Sequence, residues 1–157
     1  IGKKISDVVI KQGGEFYHGY TYSGHPVACA VAIENIRIIK EERMIENTKK
    51  NIAPYLQKRM REFENHPLVG EVRGEGLLVG VELVKNKEKK EMFDPVGTVG
   101  NICRDHCMNN NLIMRAVRDG MMCSPPLTIT KDDIDKCVER FKKSLDATLE
   151  DIKKLDI

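Results

Sequence analysis

The chain has 157 residues, 41% of them hydrophobic and 32% charged, and a formal net charge of +2, which suits an ordinary globular domain with a buried core. Basic and acidic residues are interspersed, so neither a nucleic-acid-binding stripe nor a basic membrane tail is predicted. No apolar run approaches the roughly 20 residues that a helix needs to cross a bilayer. The five cysteines are odd in number and too sparse for a disulfide scaffold, which favours free thiols in a reducing, cytoplasmic setting.

The first 25 residues combine an ambiguous element with a polar, aromatic loop. Residues 1–14 alternate briefly between apolar and polar positions and end at Gly13-Gly14, which fits a short helix or a strand equally well. The loop that follows lacks helical or strand periodicity and is typical of an ordered functional loop; it reads Phe16-Tyr-His-Gly-Tyr-Thr-Tyr-Ser-Gly-His-Pro26. Because the chain starts abruptly at Ile1, we expect it to be part of a longer polypeptide.

Two helical segments are predicted next. The first starts near Pro26, because proline is tolerated in the first turn of a helix. Residues 27–33 are apolar on every face, so this half of the helix should be buried all round. The second segment covers about residues 45–63, and Pro54 should kink it or mark a boundary because proline lacks a backbone N–H.

Strands and one helix are predicted between residues 69 and 123. Two apolar runs on either side of Arg73-Gly-Glu-Gly76 predict a β-hairpin. A helix should follow, from about Gly97 to Asn109. Leu112-Ile-Met-Arg115 is predicted as a strand that ends at the arginine, and residues 121–123 as a further strand.

The last element is a long amphipathic helix. Thr130 is a suitable N-cap residue, and apolar residues recur behind it at intervals of four and three, which places them on one helical stripe: Ile134, Val138, Phe141, Leu145, Leu149 and Ile152. The elements together predict an α+β fold in which helices pack on one face of a small sheet.

Four motifs, in their order and spacing, resemble the class III pyridoxal-phosphate-dependent aminotransferases. They are the loop of residues 16–26, Val72-Arg-Gly-Glu-Gly-Leu77, Leu112-Ile-Met-Arg115 and Ser124-Pro-Pro-Leu127. The resemblance covers nearly the whole chain and is strongest to the ω-amino acid:pyruvate branch, which includes taurine:pyruvate enzymes.

The resemblance implies a homodimer of fold type I, in which each subunit has a large cofactor-binding domain and a small C-terminal domain. Residues 1–25 would then be the tail of the large domain, and residues 26–157 the connecting helix and the small domain. The family's Schiff-base lysine is expected upstream of Ile1. No catalytic residue is therefore expected in this chain, which by itself should lack transaminase activity.

Thr21 is the first candidate for binding the cofactor, pyridoxal 5'-phosphate. The resemblance implies that its hydroxyl, together with the backbone amide of Tyr20, contacts the phosphate of the cofactor bound by the partner subunit. A hydroxyl beside an exposed backbone N–H offers two donors to a phosphate. From the residues alone, a loop that merely caps the next helix explains the same pattern.

Arg115 is the candidate for binding the substrate. The resemblance implies that its planar guanidinium grips a substrate carboxylate through two parallel hydrogen bonds. The alternative is an ion pair with a neighbouring acid such as Asp119. Gly and His usually stand in the ω-transaminase pattern where this chain has Arg118 and Gly120, and the added cation would suit a sulfonate such as taurine.

No metal site is predicted. Cys103, His106 and Cys107 lie close together on a predicted helix, but zinc needs three or four converging ligands and no second cluster completes the set. Cysteines that pack in the core are the better interpretation.

As part of a complete enzyme, the chain is expected to serve the transfer of an amino group from an ω-amino acid or amine to pyruvate or a similar oxo acid. Two alternatives stay open. One is a non-catalytic dimerisation or interaction module, whose interface would be the apolar helix after Pro26. The other is a different class III enzyme, such as an ornithine-type aminotransferase or an aminomutase.

Overall fold

The chain divides into two compact units, residues 1–38 and 39–157. The structure, a computed structural model, describes residues 2–14 and 18–155. Within those ranges no helix has both the length and the apolar composition needed to cross a membrane. The predicted division between residues 25 and 26 concerns the architecture of the family's complete subunit and stays a prediction.

The N-terminal unit consists of helices with exposed side chains. Helix α1 covers Lys3–Gln12, so the helical alternative for residues 1–14 is confirmed, and α2 covers Pro26–Glu41. Every residue from Val27 to Ile33 is exposed, including Val31 at 63%. The expected burial of this helix is therefore wrong for the single chain, because the described residues of the unit provide no second layer to cover it. Phe16 and Tyr17 of the predicted loop lie outside the described residues.

The second helical segment is interrupted where the proline predicted a boundary. It begins with α3, Met44–Asn47, continues as a π-helical turn at Thr48–Ile52, and becomes α-helical again in α4, Ala53–Arg61. Pro54 lies in the first turn of α4, where a missing N–H costs no internal hydrogen bond. A 3-10 turn at Glu62–Asn65 ends the segment.

The sheet has four antiparallel strands in the order β1-β2-β4-β3. Strands β1, Val69–Glu75, and β2, Leu78–Leu83, form the predicted hairpin. A second hairpin joins β3, Arg115–Val117, to β4, Gly120–Cys123.

The strand predicted at residues 112–115 begins where it was expected to end. Helix α5, Thr98–Asn109, closes through a hydrogen bond of 2.9 Å from the Leu112 N–H to the Cys107 carbonyl, and Asn111 has a positive φ of 57°. Residues 112–114 therefore lead out of the helix end, and Arg115 is the first residue of β3.

The last helix, α6, covers Lys131–Leu155 and follows the prediction closely. The Asp133 N–H donates to Thr130 Oγ1 at 3.2 Å, and the Thr130 N–H and hydroxyl donate to the Asp133 carboxylate. This reciprocal arrangement satisfies backbone donors at the helix start. The apolar stripe faces the core: Ile134, Val138, Phe141, Leu145 and Ile152 are buried, and Leu149 is partly buried.

The core lies between one face of the sheet and helices α4, α5 and α6, which confirms the α+β fold class. Val72, Val81, Met121 and Ala116 follow one another across the four strands and form the inner face of the sheet. Fully burying such a Val or Met side chain stabilises the fold by roughly 1.5–3 kcal/mol. The opposite face, which we call the outer face, carries polar residues.

A buried carboxylate joins α5 to the second hairpin. Asp119, fully buried in the β3–β4 turn, accepts hydrogen bonds of 2.8 Å from the backbone N–H groups of Gly97 and Gly100. The carboxylate thereby satisfies donors at the positive end of the helix. The helix can come this close only because residue 100 has no side chain: a Cβ there would lie 2.1 Å from the carbonyl oxygen of Arg118.

We predict that Gly100→Ala destabilises the fold by about 1–3 kcal/mol, since the new methyl group would push the helix away from the turn. Urea unfolding followed by circular dichroism measures the loss. Gly80→Ala is the matched control, because the nearest atom to its added Cβ is the Met122 sulfur at 3.5 Å, an ordinary contact. Equal stability of the two variants would contradict the close approach.

His66 is a half-buried histidine whose neutral form the fold favours. Its Nδ1 accepts a hydrogen bond of 3.2 Å from the Leu68 N–H, and its Nε2 lies 3.4 Å from the Asp146 carboxylate without a hydrogen bond. Burial lowers the pKa of His66, and the attraction of Asp146 only partly offsets that effect. Protonating Nδ1 would break the hydrogen bond from Leu68.

We predict that the free energy of unfolding falls as the pH drops from about 7.5 to 5.5. The pKa of His66 is below its unfolded value of about 6.5, so the unfolded chain binds more protons in this range and gains stability on acidification. Below the folded pKa this loss ends. In His66→Gln the slope should be smaller over the same range, as measured by urea unfolding at several pH values. An unchanged slope would rule His66 out as its source.

Candidate functional site

Arg115 lies on the outer face of the sheet, in a row that crosses all four strands. Arg73, Gly80, Met122 and Arg115 are successive cross-strand partners in that row. Side chains from such partners project from the same face of a sheet. The row therefore places two guanidinium groups on one surface, separated by a glycine and a methionine.

The two arginines of this row differ in their partners. Arg73 donates to Glu71 at 2.8 Å and to Glu82 at 2.9 Å, and these hydrogen bonds raise its pKa further. Within residues 18–155, no carboxylate or carbonyl pairs with the exposed side chain of Arg115. Arg115 is thus the cation of the row that is available to an anion from outside.

The alternative partner for Arg115 is occupied elsewhere. Both oxygens of Asp119 accept from the N-terminus of α5, as described above, so an Arg115–Asp119 ion pair does not form. Sequence reasoning treated Asp119 only as a counter-ion and missed that it fastens the hairpin carrying Arg115. Gly97 and Gly100 at a helix start were the available signal, but their partner became evident only from the fold.

Arg118 occupies the turn between β3 and β4. Its φ of 55° lies in the left-handed region, which favours glycine. The side chain is exposed, so this position adds a surface cation at the cost of a less favourable backbone conformation.

Two of the sequence motifs meet at one cavity of about 420 Å³. Residues 112–114 form one wall, Ser124, Pro125 and Pro126 another, and α6 closes the cavity with Cys137 and Phe141. Arg115 follows the first wall in sequence but does not line the cavity.

Tyr20 and Thr21 begin an exposed turn ahead of α2. The Tyr20 carbonyl accepts from the Ser23 N–H at 2.9 Å, and Gly24 has a positive φ of 71°. In the described part of the chain, neither the Thr21 hydroxyl nor the backbone N–H groups of Tyr20 and Thr21 have a hydrogen-bond partner. The turn therefore presents a hydroxyl and backbone donors to its surroundings.

The histidines near this turn have structural partners. His25 Nδ1 accepts from the Ala28 N–H at 3.4 Å at the start of α2, so His25 serves as the helix cap. The ring of His18 lies edge-on to Tyr20, with 5.2 Å between ring centroids. Capping is therefore performed by His25, which leaves Thr21 available.

Thr21 and Arg115 belong to different units of the chain, and neither unit alone brings them together.

The cysteines of α5 are core residues. Cys103 and Cys107 are fully buried, and their mutual hydrogen bond, aided by burial, raises the pKa of Cys103. His106 lies 2.8 Å from Asp151. Among the described residues, no three His, Cys, Asp or Glu side chains converge as metal ligands.

Comparison with known proteins finds transaminases both among curated relatives and among solved structures. The chain is 59% identical, over 89% of its length, to the putrescine–pyruvate aminotransferase of Pseudomonas aeruginosa, and 40% identical, over 99%, to a probable mitochondrial γ-aminobutyrate transaminase 3 of Oryza sativa. Among solved structures, the ω-transaminase of Pseudomonas jessenii in complex with PMP matches 93% of the chain and 32% of that protein, with a TM-score of 0.81 and 38% identity.

The chain spans only about 30% of the length of the curated relatives that it matches. The model of the family described as aminotransferase class-III matches residues 2–145, which is most of the chain. The chain belongs to the class III aminotransferases.

Proposed function

We propose that the complete protein transfers an amino group from an ω-amine or ω-amino acid to pyruvate or a similar oxo acid. Family membership carries the proposal and implies dependence on pyridoxal 5'-phosphate. The relatives named for putrescine–pyruvate and γ-aminobutyrate transamination support the ω-amino donor. The unpaired guanidinium of Arg115 supports a substrate that carries a carboxylate.

The Tyr20–Thr21 turn fits the phosphate of the cofactor. Its hydroxyl and backbone N–H groups are neutral donors without internal partners in the described chain, which is the chemistry that a phosphate needs. We infer that Thr21 and the Tyr20 amide hold that phosphate across the interface of a homodimer. When bound, the cofactor draws electrons away from the reacting carbon of the substrate. The residues of this chain would hold the cofactor phosphate and orient the substrate.

Arg115 would orient the carboxylate of the oxo acid. A diamine such as putrescine has no carboxylate, and its ammonium groups would be repelled by a guanidinium. With putrescine as the donor, Arg115 would therefore bind only the carboxylate of pyruvate. With γ-aminobutyrate as the donor, it would bind the carboxylate of the donor as well as that of pyruvate.

We predict that Arg115→Gln in the complete enzyme lowers kcat/KM for pyruvate by about 10- to 100-fold, the cost of losing hydrogen bonds to a charged group. Steady-state kinetics with putrescine as the fixed donor measure this loss. With an uncharged aldehyde as the acceptor, the same variant should keep nearly the wild-type kcat/KM.

Arg61→Gln is the matched control, since Arg61 is an exposed arginine on α4 without an ion pair in the described chain. It should leave both acceptors unaffected. Equal losses with pyruvate and with the aldehyde in Arg115→Gln would mean that the residue does not recognise the carboxylate.

A second prediction concerns the cofactor. Thr21→Val should weaken the binding of pyridoxal phosphate to the complete protein by about tenfold or more, because one hydrogen bond to a charged phosphate is lost. Absorbance of the retained cofactor after equilibrium dialysis measures the affinity. Thr21→Ser should restore most of it, whereas Ser23→Ala, a hydroxyl loss in the same turn, should have little effect. If Ser23→Ala were the damaging change, the assignment to Thr21 would fail.

Two finer points belong to the same proposal. The free state of all five cysteines supports a reducing, cytoplasmic location.

The exposed apolar residues of α2, with Val27 at 65% and Ile33 at 70%, support the homodimer and also the alternative of a non-catalytic dimerisation module. Absence of transaminase activity in the complete wild-type protein, with every ω-donor tested, would favour that module.

A further inference from the structure

The strand that carries Arg115 has the least support in the sheet. Strand β3 has only three residues and lies at one edge of the order β1-β2-β4-β3, so it pairs with β4 alone. The Arg115 side chain itself has no ion-pair or hydrogen-bond partner among the residues that the structure describes. The place of its guanidinium therefore depends on how firmly the backbone of β3 is held.

Asp119 supplies three attachments close to this strand, from which only Arg118 separates it. Its carboxylate accepts the two hydrogen bonds of 2.8 Å from Gly97 and Gly100 at the start of α5. Its backbone carbonyl accepts a third, of 2.9 Å, from the N–H of Leu83 at the end of β2. The β3–β4 turn is thus fastened to a helix and to an inner strand of the sheet at once.

The conformation of the turn shows how tightly these attachments constrain it. Arg118 keeps a left-handed φ of 55°, which is unfavourable for a residue with a side chain and persists where the surrounding structure imposes it. The backbones of turn and helix are already in contact at Gly100. The turn therefore cannot shift towards α5 without a collision, or away from it without losing the hydrogen bonds to Asp119.

We propose that Asp119 is a positioning residue for substrate recognition, which acts through Arg115 by fixing the backbone of β3. A guanidinium forms two parallel hydrogen bonds to a carboxylate only when both groups are aligned, and a displacement of about 1 Å can cost up to roughly 100-fold in rate. Asp119 is fully buried and would not touch the substrate. The inference rests on the proposed role of Arg115 in binding the oxo acid.

The test uses the complete enzyme with putrescine as the fixed donor, and compares kcat/KM for pyruvate with kcat/KM for an uncharged aldehyde. Asp119→Asn replaces one acceptor oxygen by an NH2 group that faces a backbone N–H, which releases one end of the contact. We expect kcat/KM for pyruvate to fall by about tenfold, and the value for the aldehyde to change little.

A second variant disturbs the same contact from the helix side. Gly100→Ala should reproduce the selective loss with pyruvate, so the proposal stays testable if Asp119→Asn does not fold. Circular dichroism checks the fold of each variant.

A double-mutant cycle separates positioning from a general loss of stability. Added to Arg115→Gln, Asp119→Asn should cause no further loss with pyruvate, because residues that act as a unit are not additive. Val138→Ala is the matched control: Val138 is buried on α6, and its truncation weakens the core without altering the Asp119 contact. Val138→Ala should affect both acceptors equally and add in full to Arg115→Gln.

The outcomes distinguish this inference from the proposed function. If Arg115→Gln shows no selective loss with pyruvate, the proposed role of Arg115 fails and the positioning role fails with it. If Arg115→Gln shows that loss, but Asp119→Asn lowers both acceptors equally or adds in full to Arg115→Gln, only the positioning role is overturned.

Discussion

The contact between the Asp119 carboxylate and the start of α5 is the constraint on which the unit of residues 39–157 depends. One buried side chain satisfies two backbone donors, and it does so from a turn only two residues long. The absence of a side chain at Gly100 lets helix and turn approach to backbone contact. Because a buried carboxylate without such partners would be costly, helix and hairpin are fixed to each other, and with them the strand that begins at Arg115.

The two faces of the sheet then take on different tasks. The inner face buries Val72, Val81 and Met121 against the helices and supplies the stability. The outer face carries Arg73 and Arg115 in one row, and the glutamates beside Arg73 engage only that arginine. An anion that approaches this face therefore meets an exposed guanidinium that no carboxylate of the described residues neutralises.

The unit of residues 39–157 presents the exposed guanidinium of Arg115 at the start of β3 and a cavity between β4 and α6. The segment of residues 112–114 adjoins both, since it precedes Arg115 and supplies Met114 to the cavity. Most of the exposed α2, up to residue 38, belongs to the other unit, and the proposed homodimer would cover its apolar face.

The sequence by itself determined the family, the α+β class, both hairpin strands at residues 69–83 and the stripe of α6, because these rest on local periodicity and on motif order. It also determined the boundary at Pro54, since a missing N–H acts locally. Only the tertiary structure decided the start of β3, the partner of Asp119 and the pairing state of Arg115, because each depends on atoms far apart in the chain. Exposure of α2 likewise could not follow from its apolar composition, since burial requires a covering layer that a helix's own residues cannot specify.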